Sequence, residues 1–414
     1  MDAIAHCRGC GSARIEPFFD LGAQPLANAL VTDPGARDPL YPLSLSFCPD
    51  CSLVQLNHTA DPREIFSHYV WVTGTSGGAR VFAEEFCAAL LSRADCRDGY
   101  VLEVASNDGT FLKPFLRRGV QGLGVDPAAN IVEMAQADGV PSLTGFFGRD
   151  LASRIAAERG LPRVVFARNV LPHVAETHDF VAGLKVLAGE TGLVAVEVHH
   201  ARVILEELHY DSIYHEHLCY FTLHSLTRLL ARHGLFAFDV LKSPISGGSL
   251  VVYARPFPLE KSAKLAAVEK EEEESGANRI ESWRRFAELS RRHRELFLAI
   301  LEGEAAAGRS VVGYGASARS STMLNFCGVG PSLIRAIADQ NPLKQGLYTP
   351  ATHIPIQSPE EVLAGRPDTV AVLAWNFFDE IVAGLVSRFG FAGRVVKPLH
   401  HPPKALQVKE ALHA

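Results

Sequence analysis

The chain has 414 residues, 47% of them hydrophobic and 21% charged, a composition suited to about three globular domains. Its 40 Lys+Arg stand against 46 Asp+Glu, which leaves no basic surplus for neutralising phosphates and excludes a general nucleic-acid binder. No apolar run approaches the ~20 residues of a bilayer span. MDAIAHCRGCGSARIEP at the N-terminus shows neither the basic nor the apolar segment of a secretory leader. A soluble, cytoplasmic chain without a membrane partner is expected.

Four of the eight cysteines form two equal spacings, Cys7 and Cys10 in HCRGCGS and Cys48 and Cys51 in FCPDCSL. A Cys-x-x-Cys turn aims two thiolates at one point, and two such turns complete a tetrahedral sulfur site. Cys7, Cys10, Cys48 and Cys51 are therefore expected to hold a structural zinc. Disulfides are disfavoured in a cytosolic chain, and a redox Cys-x-x-Cys would need only one pair. Residues 1–65 read as this zinc module, its 37 intervening residues long enough for two hairpins. The scattered Cys87, Cys96, Cys219 and Cys327 read as buried thiols.

From Ser76 to Arg93 the apolar residues recur near helical spacing. An alternating pattern follows: a strand over 100–106 (YVLEVAS), a short helix stopped by Gly119, a strand over 122–127 (GLGVDP) and a helix from Ala129 to Gly139. Buried strands follow over 164–169 and 193–198. Such alternation predicts a parallel sheet with right-handed crossovers. Thr222 is placed to N-cap a helix over 222–234, with Leu223, Leu226, Leu229 and Leu230 on one face and Gly234 at its stop. These elements make a central domain over 66–257. Residues 258–307 are charge-rich and helical, broken near Ser275-Gly276, and read as a connector whose acidic run from Glu271 to Glu274 faces solvent. From 308 to 414 a second alternating pattern begins, with SVVGYGA, LIRAIAD, DTVAVLAW and RVVKPL as strands. The fold class is α/β: a zinc module, a central Rossmann-like domain and a C-terminal Rossmann-like domain.

The first strand–helix turn reads Glu103-Val104-Ala105-Ser106-Asn107-Asp108-Gly109, at the place where such folds bring backbone close to a ligand. S-adenosylmethionine enzymes of this fold usually show an acid followed by Gly-x-Gly-x-Gly. Here Glu103 is in place, Ala105 and Asn107 stand where the first two glycines would, and Gly109 keeps the third. Asp126 ends the second strand, where its carboxylate can accept both ribose hydroxyls. A pyrophosphate cofactor would require a fuller glycine fingerprint, so S-adenosylmethionine is favoured over NAD and over a plain capped turn. Tyr214-His215-Glu216-His217 is the densest titratable run, and His173 follows the fourth strand. Such groups suit removal of a proton from carbon beside a carbonyl, or a hydrogen-bonded structural loop.

In order along the chain, CRGCG, DLGAQPLANAL, CPDCSLVQL, VLEVASNDGTFL, GVDPAANI, ARNVLPH, YHEHLCYFTLHSL, SGGSLVVYA, GYGASARSSTMLNF and DQNPLKQGLYTPATHIPI resemble the NDP-hexose C-methyltransferases of deoxysugar biosynthesis, over essentially the whole length. The resemblance implies a class I methyltransferase domain in the centre, with substrate between it and the C-terminal domain. It implies methyl transfer from S-adenosylmethionine to a ring carbon, carbon 3 favoured, of a nucleotide-linked 4-keto-6-deoxysugar through an enolate. The substrate is then a dTDP-linked hexose by analogy, and the chain a monomer by default. His217 would be the base, with His215 as substitute, Glu216 orienting it, and Tyr214 and His173 hydrogen-bonding the enolate oxygen or sugar hydroxyls. Glu103, Ala105, Ser106, Asn107, Asp126, Asn169 and the Phe146-Phe147 pair would surround the cofactor.

Gly313-x-Gly315-x-x-Ala318 loosely matches a dinucleotide turn, which raises an NAD(P)-dependent sugar-nucleotide oxidoreductase as an alternative, with Asp339 its one acid after a second strand. The resemblance instead implies that Gly315, Ser317, Arg319, Asn341 and Lys344 hold the substrate's diphosphate at a helix N-terminus. A further alternative, an inactive zinc-ribbon binding protein on a methyltransferase scaffold, is at odds with intact Glu103, Asp126 and His217.

Overall fold

The apolar strands of the middle of the chain close into a seven-stranded sheet. In the computed structural model, which describes residues 1–35, 37–61, 65, 72–399 and 402–411, its strands are β1 (Tyr100–Val104), β2 (Gln121–Asp126), β3 (Ser142–Thr144), β4 (Val164–Arg168), β5 (Leu193–His199), β6 (Phe236–Ser243) and β7 (Ser249–Arg255). They lie in the order β6-β7-β5-β4-β1-β2-β3. β1 to β5 pair in parallel, and β7 runs antiparallel to both β5 and β6. The sequence marked β1, β2, β4 and β5 because they are buried on both faces and read as continuous apolar runs. It did not mark β3, only three residues long, β6, whose outer residues are half-exposed, or β7, although β7 is buried along nearly its whole length.

This sheet belongs to the first of two compact units, made of Met1–Pro17, Ser46–Val203 and Leu218–Ile280. The helix Gly77–Leu91 is N-capped by the Ser76 side chain on Ala79 N–H and buries Phe82, Phe86 and Leu90. The Phe86 ring meets those of Phe111 and Phe166 edge-on at 5.7 and 5.2 Å, which locks this helix to the sheet. Cys87, Cys96, Cys219 and Cys327 are all buried thiols, as expected. Thr222 caps the helix Leu223–Arg232 in a capping box with Ser225.

The expected solvent-facing acidic run is a correction. Glu271 does face outward and pairs with Lys242 and Arg202, but Glu272 on the helix Ala263–Ser275 is 1% exposed. Its carboxylate takes the His200 Nε2 at 2.6 Å, the Leu223 N–H, the His224 N–H at 3.1 Å and the Asn278 amide at 3.3 Å. The first amides of a helix have no intrahelical acceptor, and Glu272 is the carboxylate that answers them for Leu223–Arg232. Burial pushes this carboxyl up, while His200 and the two amides outweigh burial and hold it below its usual range.

The second unit comprises Phe18–Leu45, Ile204–His217 and Glu281–Ala414. Its six strands are β8 (Val311–Tyr314), β9 (Ile337–Ala338), β10 (Ile356–Gln357), β11 (Thr369–Val372), β12 (Arg394–Lys397) and β13 (Lys404–Gln407). They follow the order β10-β9-β8-β11-β12-β13, parallel except for the antiparallel β13. The long helix Ile280–Ala306 buries Trp283, Phe286, Phe297 and Leu301, and Phe286 packs edge-on against Phe19 at 5.9 Å. Among the described residues no helix is long and apolar enough to cross a membrane.

Glu272→Ala removes the acceptor of two helix amides and the partner of a buried histidine. It is expected to destabilise the first unit by about 3 kcal/mol, read from urea unfolding. Because the folded carboxyl lies below its ordinary value, the native contribution is present above the unfolded-state value and disappears as pH falls through the folded one. The native-minus-variant difference therefore shrinks on acidification.

Candidate active site and metal centre

The two cysteine turns are copies of one another. Gly11 N–H closes on Cys7 O and Ser52 N–H on Cys48 O, each at 2.8 Å, and the closing residues Gly11 and Ser52 have φ of 73° and 61°. This geometry brings Cys7 Sγ to 3.5 Å from Cys51 Sγ and Cys10 Sγ to 3.5 Å from Cys48 Sγ, with all four sulfurs within 4.8 Å of one another. A disulfide needs about 2.05 Å, whereas sulfurs around a tetrahedral zinc at ~2.3 Å stand about 3.8 Å apart. The donor set fits zinc, and with four protein thiolates it leaves no position for substrate. Zinc here is structural.

The turn after β1 has the conformation that Gly-x-Gly-x-Gly would give. Ala105, Asn107 and Gly109 have φ of 55°, 50° and 73°, so the left-handed backbone is kept at all three positions although only one is glycine. At Gly109 a Cβ would stand 2.6 Å from Val140 Cγ1, so close packing requires glycine there as well. Ser106 N–H donates to Val125 O at 3.1 Å, and Asn107 N–H to Asp126 Oδ2 at 2.9 Å. Asp126 Oδ1 accepts Ala128 N–H at 2.9 Å. Each oxygen keeps a further lone pair. Burial pushes Asp126 up, and those two N–H groups pull it back. Glu103 is buried and pushed well above its usual range by burial, against the opposing pull of Arg168. Arg168 itself forms a buried pair with Glu197 at 2.6 Å. Asn169 follows β4 with φ of 50°, His173 ends the turn Leu171–His173, and Phe146 is exposed while Phe147 meets Phe180 edge-on at 5.2 Å. All of these lie in the first unit.

Tyr214, His215, Glu216 and His217 lie in the second unit. They are not extended: His217 N–H closes on Tyr214 O at 2.9 Å, a β-turn that brings its first and fourth side chains together. His217 Nε2 meets Tyr214 OH at 2.8 Å, and its Nδ1 meets Ser212 O at 2.8 Å. A carbonyl only accepts, so Nδ1 carries the proton and Nε2 presents its lone pair to the Tyr214 hydroxyl. His215 is buried, with Nε2 3.3 Å from Pro42 O and its ring edge-on to Tyr41. Glu216 is also buried. Its Oε1 accepts the Asn28 amide at 2.6 Å, and burial pushes it up to about 7 against that bond.

In the same unit, β8 leads into the helix Ala318–Cys327, where Ser317 forms a capping box with Ser320. Gly315 has φ of 95°, and a Cβ there would collide with Ala374. Ala316 N–H donates to Asp339 Oδ2 at 2.8 Å, and Lys344 Nζ donates to Ala316 O at 2.7 Å. Asn341 N–H donates to Asp339 Oδ1 at 2.8 Å, and the Asn341 side chain accepts Leu343 N–H. The Arg319 guanidinium lies 5.2 Å from the Trp375 ring centre. Gly315, Ser317, Arg319, Asn341 and Lys344 thus flank one helix N-terminus. Asn28, Ser212 and Trp375 carry no sequence signal and reach these residues only through the fold.

Family models match in three places: a zinc binding domain over residues 7–66, a methyltransferase domain over 79–237 and a C-methyltransferase C-terminal domain over 244–399. C-methyltransferase NovU from Streptomyces niveus is 33% identical over 404 residues, 96% of either chain. Among solved structures, magnesium protoporphyrin IX methyltransferase ChlM from Synechocystis is similar over 43% of this chain and 83% of its own, at TM-score 0.34 and 14% identity. The CcbJ methyltransferase from Streptomyces caelestis is similar over 42% and 90%, at TM-score 0.34 and 14% identity. Overlaps of that kind carry no argument about function.

Two outcomes are expected at these sites. Freshly purified protein should contain about one zinc per chain, and Cys48→Ser should lose it and unfold the cysteine turns; elemental analysis and limited proteolysis check both. Ala105→Gly should raise stability by about 1 kcal/mol in urea unfolding, since it relieves a left-handed alanine, and should leave the cofactor affinity measured by calorimetry intact.

Proposed function

This chain belongs to the S-adenosylmethionine-dependent C-methyltransferases that carry an N-terminal zinc module, and we propose that its acceptor is a ring carbon, carbon 3 favoured, of a nucleotide-linked 4-keto-6-deoxysugar. The observation that carries the proposal is the Tyr214–His217 pair with its tautomer fixed by the Ser212 carbonyl. A ring carbon becomes a nucleophile only once a C–H beside the ketone is removed. His217 Nε2 carries the lone pair that takes that proton once the Tyr214 hydroxyl gives it up, and the Ser212 carbonyl stabilises the imidazolium that forms. As the proton moves to Nε2, the Tyr214 hydroxyl turns its O–H to the developing enolate oxygen, which supplies charge stabilisation where charge appears.

Bound S-adenosylmethionine supplies an electrophilic sulfonium methyl. Glu103, Ala105, Ser106, Asn107, Asp126, Asn169, Phe146 and Phe147 would hold it, the Asp126 carboxylate taking its ribose hydroxyls. His173 would hydrogen-bond the sugar, and His215 and Glu216 keep the turn in place from its buried side. The N-terminus of Ala318–Cys327, with Ser317, Arg319, Asn341, Lys344 and the backbone at Gly315, suits a diphosphate, because the positive end of a helix and two cationic side chains come together there. The nucleotide is most economically a dTDP.

The test is incubation with S-adenosylmethionine and a panel of dTDP-4-keto-6-deoxysugars, with products read by mass and NMR. His217→Asn keeps the hydrogen-bonding shape and loses the base. Its kcat should fall roughly 10²–10⁴-fold with little change in the affinity of either ligand, and exchange of the alpha proton in deuterated water should stop. Normal turnover by a folded His217→Asn protein would remove His217 from the base role, and methylation at oxygen or nitrogen would overturn the acceptor.

A further inference from the structure

One buried acid takes no part in the chemistry just described. Asp211 lies on the turn Tyr210–Ser212, three residues before Tyr214, and is wholly buried. Its Oδ2 accepts the Trp375 indole N–H at 2.6 Å, while its Oδ1 has no hydrogen-bond partner among the described residues. A buried carboxyl with one oxygen unanswered is costly and calls for a compensating role.

Trp375 supplies it. This residue follows β11, directly after Ala374, whose side chain abuts Gly315 at the end of β8. The strand order reverses here: β9 and β10 extend the sheet on one side of β8 and β11 on the other. Open α/β sheets take ligands in the crevice at the carboxyl ends of the two strands that flank such a reversal. Arg319, on the first turn of Ala318–Cys327, sits over the indole at 5.2 Å, and the His209 ring packs on the same indole at 4.4 Å. Burial, with Arg319 next, pushes His209 down to about 3, so it adds no competing charge. The same helix donates Thr322 Oγ1 to Ile213 O at 3.1 Å, and Ser212 O holds His217. Nucleotide subsite and base turn are therefore tied to each other through residues 211–213.

We propose that Asp211 is a positioning residue for the substrate's nucleoside diphosphate: it locks the Trp375 indole, and the indole face holds the Arg319 guanidinium at the switch point. The inference rests on the assignment of Arg319 to the diphosphate. Asp211 touches no substrate atom. It acts through Trp375, and its removal weakens nucleotide recognition rather than methyl transfer itself.

The experiment titrates the full chain with dTDP by calorimetry, comparing the native protein with Asp211→Asn, Trp375→Phe and Arg319→Ala. Asp211→Asn is nearly isosteric, and Trp375→Phe keeps an aromatic ring while removing the N–H. Each should weaken dTDP about 10-fold, the equivalent of one hydrogen bond to a charged group, and leave S-adenosylmethionine affinity at the native value. KM for the nucleotide sugar should rise by the same factor, with a smaller change in kcat, and Asp211→Asn should add nothing in an Arg319→Ala background. If Arg319→Ala weakens dTDP while folded Asp211→Asn and Trp375→Phe bind it as the native chain does, the role of Asp211 is overturned and the diphosphate site stands. If Arg319→Ala leaves dTDP binding untouched, the diphosphate assignment falls, and this inference with it. Should Asp211→Asn not fold, Trp375→Phe decides alone.

Discussion

A two-bond clamp between the first turn and the second strand sets the ligand-facing edge of each sheet. In the first unit Ser106 N–H donates to Val125 O, and Asn107 N–H to the Asp126 carboxylate. In the second, Gly315 N–H donates to Ala338 O and Ala316 N–H to the Asp339 carboxylate. Adjacent parallel strands offer these groups in the same register, so a turn that must swing backbone toward a ligand is anchored the same way twice. The two versions differ in charge. Asp126 keeps its remaining lone pairs with no lysine on it, while Asp339 has Lys344 Nζ at 3.8 Å. A carboxylate countered in this way is poorly suited to ribose hydroxyls and well suited to fixing a cation.

The turn Tyr214–His217 shows how a short run of polar residues is divided between partners on two sides. The bond from His217 N–H to Tyr214 O stacks the first and fourth side chains, and the Ser212 carbonyl selects the tautomer of His217. The two residues between them are buried on other partners, His215 toward Pro42 and Glu216 onto Asn28. An extended strand would have put His215 and His217 on one face and Tyr214 on the other, separating Tyr214 from His217. The turn alone makes that pair.

Burial of polar groups recurs at the points where elements meet, and several of these groups find a partner on another element. Glu272 answers the first amides of Leu223–Arg232, Glu197 answers Arg168, and the Trp375 indole answers Asp211. Such groups are costly unless paired. The zinc cluster is the same argument with sulfur: thiols as close as 3.5 Å, mostly buried, are reconciled by a cation that takes them as thiolates.

By itself the sequence determined the features that depend on local chemistry or on a repeating period. The cysteine spacing picked out the four thiols that the fold brings together. The apolar runs established β1, β2, β4, β5, β8, β9, β11 and β12, because buried parallel strands carry a local signal, although the equally buried antiparallel β7 was not marked. Thr222 and Gly109 could be placed because a cap and a left-handed turn are short-range requirements. Tertiary structure decided what depends on groups distant in the chain. Residues 204–217 sit in sequence between stretches of the first unit yet fold with the second, and no periodicity reports such a grouping. Glu272 looked like any solvated glutamate, since only the fold supplies the helix N-terminus that buries it. Ala105 and Asn107 looked like losses from a glycine pattern until the backbone showed the same left-handed φ. Asn28, Ser212 and Trp375 act through a side-chain amide, a backbone carbonyl and an indole N–H, groups so common along any chain that proximity, which only folding confers, is what gives them a role.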